Sequence, residues 1–144
     1  MLVFAAGANA QSEGGGRLPG TWDTVVTVRN CDTGAAILSF QSVGSFNQGG
    51  TFSGITSGMP PTARTSERGT WRHTRANEYR FRFKAYLYNP AAQAIGYQLV
   101  TQDLTLDADA LNWSSSGVSR TFTLDGVEIG VGCSTATASR MILD

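Results

Sequence analysis

The residues that could do chemistry are few and scattered. The chain holds one histidine, His73, and two cysteines, Cys31 and Cys133. An imidazole titrates near neutrality, so His73 is the natural candidate for proton transfer. Such a role needs a nucleophile or a second titrating group within reach, and a metal site needs further ligands. The sequence around it, Thr70-Trp71-Arg72-His73-Thr74, supplies neither. His73 is therefore expected to be structural or to touch a ligand, and no catalytic residue is assigned. Asp103, Asp107 and Asp109 lack the glycine and the bidentate glutamate of a calcium loop and read as turn formers. No metal and no cofactor is expected. Arg80, Arg82 and Lys84 alternate along one stretch, which suits a solvated sheet face and, less simply, an anion site. Asn112-Trp113-Ser114 matches a glycosylation acceptor but falls inside a predicted strand.

The cysteines have no Cys-x-x-Cys spacing and no companion ligands, which makes poor zinc chemistry and fits an oxidising compartment. A bond between Cys31 and Cys133 is expected, with two buried free thiols as the alternative. The bond would close a loop of about a hundred residues, for which chain entropy gives up to about 4.7 kcal/mol. The first residues support export. Met1 to Ala10 is apolar and ends in Ala8-Asn9-Ala10, the small-x-small pattern of a signal peptidase site. Residues 1–10 are read as a signal-peptide remnant, 11–17 as a flexible glycine-rich leader and 18–144 as the folded domain. The expected location is secreted or periplasmic.

Composition limits the partners. Eleven basic residues balance eleven acidic ones, so no excess field draws nucleic acid or an anionic membrane, and neither nucleic-acid binding nor membrane insertion is expected. Charged residues make up only 15% while glycines number 17, a mixture that favours short strands and tight turns.

The elements that must position these residues follow from period-2 alternation. Strands are predicted at Trp22–Arg29, Ile37–Phe46, Thr51–Thr56, Thr70–Thr74, Tyr79–Tyr88, Tyr97–Leu106, Leu111–Thr123 and from Val127 towards Ile142, with Met59-Pro60-Pro61 breaking the pattern. The fifth alternates most cleanly: Tyr79, Phe81, Phe83, Ala85 and Leu87 face one way, and Arg80, Arg82, Lys84, Tyr86 and Tyr88 the other. Asp125-Gly126 is the strongest hairpin signal. Eight antiparallel strands without intervening helices can close into an up-and-down barrel and so remove their edges. Gly20-Thr21-Trp22 and Gly69-Thr70-Trp71 echo each other, each read as a sharp turn into a strand followed by a ring that plugs the barrel.

With these features the chain resembles the calycin superfamily, the lipocalins and avidins, whose first strand opens with Gly-x-Trp and whose last carries an Arg over that Trp. The matching residues are Gly20, Trp22 and Arg140. The resemblance implies an all-β, eight-stranded antiparallel up-and-down barrel with Trp22 and Arg140 in structural roles. The chain ends at Asp144 without the helix that lipocalins add, and in this it is more similar to an avidin. The Asp23-Thr24-Val25-Val26 that follows Trp22 departs from the avidin residues that contact biotin. The segment from Cys31 through Gly132-Cys133 to Arg140 is also similar to small exported bacterial proteins. Pairing the cysteines directly places Trp22 opposite Ile142 and Thr24 opposite Arg140, with Trp22 and Arg140 on one face and both cysteines on the other.

Calycin logic makes the lumen the site. Its candidate wall is Trp71, His73, Tyr79, Phe81, Phe83 and Trp113, and its candidate partner a small apolar or amphipathic molecule. The same aromatics could simply fill the core, because eight strands leave little room. A barrel cyclase or isomerase, similar in outline to allene oxide cyclases, is the alternative, with His73, Tyr79 and Tyr97 as its polar groups. A barrel without a ligand is the third reading. Counting from Asp125-Gly126 puts Phe122, Ile129 and Val131 on the face of Cys133, so either a bulge flips the register or an apolar patch faces outward and invites homo-oligomers.

Overall fold

The computed structural model describes residues 17–143, and the proposed signal-peptide remnant and nearly all of the leader lie outside them. Its strands are β1 (Gly20–Arg29), β2 (Ala36–Asn47), β3 (Thr51–Thr56), β4 (Glu67–Arg75), β5 (Glu78–Tyr88), β6 (Ala94–Leu106), β7 (Asn112–Thr123) and β8 (Glu128–Arg140). Each pairs antiparallel with the next, and β1 pairs with β8, so the sheet is a closed eight-stranded barrel. No helix occurs among the described residues. Every strand expected from alternation is present, and β3 has the predicted bounds. β4 starts three residues earlier than its alternating core suggests, a difference that matters for the lumen.

The disulfide joins Cys31 to Cys133 with Cα atoms 5.2 Å apart. It corrects one expectation. Cys31 lies beyond β1, in the turn before β2, and Cys133 pairs with Arg29 rather than with Cys31. The β1–β8 register is therefore two residues from the one direct cysteine pairing implies, and Trp22 sits opposite Arg140 instead of Ile142. A shift of two preserves parity, so Trp22 and Arg140 still share a face.

The two Gly-Thr-Trp segments turn out unlike. Gly20 opens β1 with φ at +140°, and a Cβ there would lie 2.5 Å from Nη1 of Arg140. Gly69 lies inside β4 and makes no turn; a Cβ on it would come within 1.8 Å of the Arg82 carbonyl oxygen. It is needed where β4 and β5 approach closely.

β7 and β8 keep the register that Asp125-Gly126 implies as far as Thr121 opposite Gly130, and then shift so that Phe122 faces Glu128. The bulge does not flip the apolar residues inward. Phe122 stacks on Tyr97 outside the barrel at 5.2 Å, and Ile129 and Val131 are 64% and 53% exposed.

The core gathers at one end. There Leu18, Trp22, Phe46, Tyr79, Leu104, Leu106 and Trp113 are buried, with Phe46 edge-on to Phe81 at 5.1 Å and to Trp113 at 6.2 Å. The turns around Cys31, Met59, Pro90 and Asp125 lie at the opposite end, which these rings leave unfilled.

Candidate functional site

Inward positions divide unevenly around the barrel. Phe52 on β3 and Phe81 and Phe83 on β5 present rings, whereas β7 and β8 face them with Ser115, Gly117, Ser119, Gly132, Ser134 and Ala136. Small residues opposite large ones leave space, and the result is a cavity of about 320 Å³. That lies at the lower end of volumes that hold small ligands. Val26, Val28, Leu38, Phe40, Met59 and Val100 complete its apolar lining.

Polar groups converge on the same space. Residues 63–65 continue the β4 edge against β5: Arg64 bridges to Leu87, the Thr65 N–H donates to the Tyr86 carbonyl at 3.0 Å, and the Tyr88 N–H donates to the Ala63 carbonyl at 2.8 Å. This local pairing turns the Arg64 side chain inward beside Phe83, with its guanidinium carbon 6.0 Å from the ring centre. Glu67, the first residue of β4, shares the inward parity of Trp71 and His73. Arg64 Nη1 donates to Glu67 Oε2 at 2.9 Å and Nε donates to Gln98 Oε1 at 2.9 Å. The two residues are only 8% and 6% exposed. Burial pushes the Glu67 carboxyl above its ordinary value, while the Arg64 charge and hydrogen bond pull it down.

A second cluster lies further in. Ser115 Oγ donates to Gln102 Oε1 at 2.8 Å, and Gln102 Nε2 donates to Ser134 Oγ at 3.0 Å. Beside it, the indole N–H of Trp113 is fully buried without an acceptor, the one such side-chain atom among the described residues. An unmet buried donor is costly.

The residues singled out in the sequence separate into two groups. Phe81, Phe83 and Trp113 line the cavity. Trp71, His73 and Tyr79 face inward but lie at the filled end, where Trp71 Nε1 donates to the Asn47 carbonyl and the His73 ring contacts Tyr79 at 5.1 Å and bonds through Nε2 to the Ala76 carbonyl. Tyr97 is on the outer face, where the Lys84 ammonium sits 4.2 Å from its ring centre. The three polar groups of the cyclase reading thus share no pocket. Asp103 pairs with Arg80 at 2.7 Å, and Asp109 accepts the Leu111 N–H at 3.0 Å within a turn. Arg82 donates to Thr101 on the same outer face.

Sequence reasoning missed Arg64, Glu67, Gln98, Gln102, Ser115 and Ser134. A usable signal existed for four of them. Glu67 shares the parity of Trp71, Gln98 and Gln102 that of Val100, and Ser115 that of Trp113, so extending each alternation would have placed a polar side chain inside an apolar row. A larger depression of about 720 Å³ lies on the outer face around Asp23, Gln41 and Ile55. It is open to solvent and gathers no buried polar network, so the lumen is the better candidate.

No family model matches the sequence, and no curated protein matches it. Among solved structures, the crystal structure of Rv2717c from M. tuberculosis aligns with 99% of this chain and 100% of its own, at 13% identity and a TM-score of 0.42.

Proposed function

We propose that the protein binds a small amphipathic molecule in the barrel lumen, which enters at the end carrying Cys31 and Met59. The observation that carries this reading is a buried ion pair, Arg64 with Glu67, set in the wall of an unfilled cavity. Buried pairs contribute little net stability compared with apolar residues of the same size, so folding alone does not account for this one. A ligand's polar head does. Its apolar body would lie against Phe40, Phe81, Phe83 and Val100, where ring and branched side chains provide most of the affinity.

The disulfide is consistent with an oxidising compartment, and with the Ala8-Asn9-Ala10 pattern it supports a secreted or periplasmic binder.

Native mass spectrometry of the protein purified from its own host's extract tests the reading. An adduct lost only on denaturation is the expected result. A bare mass, under conditions gentle enough to keep a control barrel loaded, would overturn it in favour of a barrel that works without a resident ligand.

A further inference from the structure

We infer that the lumen selects an uncharged amphiphile with a hydroxyl head, held between Arg64 and Glu67, over a carboxylate or an ammonium on the same chain. The inference rests on the lumen-binding reading and adds the ligand's head-group chemistry.

Arg64 and Glu67 are the only charged residues that line the cavity among the described residues, and at 2.9 Å they cancel each other. The remaining polar lining is neutral, and within it the Gln102 amide is shared between Ser115 and Ser134. A charged ligand would therefore enter without a counter-charge, and an ion desolvated without a partner is strongly disfavoured.

The geometry further specifies the head. Hydrogen bonds occupy Nε and Nη1 of Arg64 and Oε2 of Glu67, whereas Nη2 and Oε1 make none among the described residues. Neither atom is a fully buried orphan, so both keep access to solvent. Nη2 thus offers unused N–H donors and Oε1 an unused acceptor, a set that suits a hydroxyl, which can accept from the first and donate to the second. A carboxylate meets the Glu67 charge at the same spot, and an ammonium meets that of Arg64. The Glu67 carboxylate packs over its cross-strand partner Gly54, where a Cβ would stand 2.7 Å from Oε1, so the bare glycine makes the room that Oε1 occupies.

The test is calorimetric titration of the intact disulfide-bonded protein with decan-1-ol, decanoate and decylamine at about pH 8, where both ionic probes are charged. Decan-1-ol is expected to bind about tenfold or more tightly than either ion. Glu67→Gln leaves the Arg64 charge uncompensated and should shift the preference towards decanoate by about tenfold or more. Arg64→Gln should shift it towards decylamine. Equal affinities, or an ion that wins in the unmodified protein, would overturn the head-group assignment while leaving lumen binding intact. Failure of all three probes to bind would overturn both. If neither variant folds, the ranking in the unmodified protein decides.

Discussion

The guanidinium of Arg140 lies over the indole of Trp22, 4.3 Å from the ring centre, and uses its other edge to gather backbone. Nε donates to the Ala110 carbonyl, Nη1 to that of Pro19 and Nη2 to that of Arg17, at 2.9, 2.9 and 2.6 Å. Trp22 Nε1 donates to the Leu18 carbonyl at 3.1 Å. Together the two residues draw the segment before β1 across the barrel end and seat Leu18 in the core, fully buried. Burial, with the nearby Arg17 charge, holds the Arg140 pKa below its ordinary value without making it a base at neutral pH.

Replacing Arg140 with Met should therefore cost about 2–3 kcal/mol, since three carbonyls lose a charged donor while part of the stem's packing remains. Arg140→Lys should recover less than half, because a point ammonium cannot serve three acceptors in a planar fork. Urea unfolding of both variants checks this; equal stability of the Lys variant and the parent would show that charge over the ring, not the fork, is what matters.

The disulfide ties the turn after β1 to β8 at the barrel's other end and spans 102 residues of sequence. Cys31→Ser combined with Cys133→Ser should lower stability by about 2–5 kcal/mol, mainly by freeing the unfolded chain. The same loss should appear when the unmodified protein is unfolded in reductant. A loss in the double variant without a matching loss in reductant would point to the serine hydroxyls rather than to the cross-link.

Most of the architecture was legible because it depends on alternation, which the residues around the filled end obey strictly. Tyr79 begins the row that is apolar throughout, Tyr79, Phe81, Phe83, Ala85 and Leu87, while Trp22, Phe46, Leu104 and Trp113 are the large apolar members of inward rows that also carry Thr24, Ser42, Gln102 and Ser115. The lumen was less legible because its chemistry interrupts those rows. Arg64 follows Pro60-Pro61 in a stretch that reads as loop, and only its pairing with Leu87, twenty-three residues on, turns it inward. Glu67 precedes the glycine that the echo with Gly20 suggested as a strand start. The cysteine register failed for a related reason: a disulfide constrains distance, and a turn residue can reach a strand residue without being paired to it.

Glu67 makes an unusual pH prediction. Its carboxyl is raised above the ordinary 4.5, burial outweighing Arg64, so the folded chain holds that proton more tightly than the unfolded chain. Its contribution to stability is then largest below the unfolded value and declines as pH rises through the folded one, opposite to a carboxylate stabilised by its ion pair. Measured against Glu67→Gln between about pH 4 and about pH 8, the stability of the unmodified protein relative to the variant should fall with rising pH. A relative stability that rises instead would mean that attraction to Arg64 exceeds the burial cost.

The final prediction separates the lumen from the fold. Ser119 lines the cavity, and its hydroxyl makes no hydrogen bond among the described residues, so its polar atom is not tied into either cluster. It faces Gly132 across β7 and β8, where no side chain competes for the space. Ser119→Leu should therefore place its added methyls in the cavity and change stability by no more than about 1 kcal/mol, the gain from burial offsetting local adjustment. The same change should abolish decan-1-ol binding, because a cavity near the lower size limit cannot hold both a leucine and an alkyl chain. Thermal melting and calorimetric titration on one preparation give the two readouts. Binding that survives in a variant of unchanged stability would move the ligand out of the lumen, leaving the outer depression around Asp23 and Ile55 as the surface to probe next.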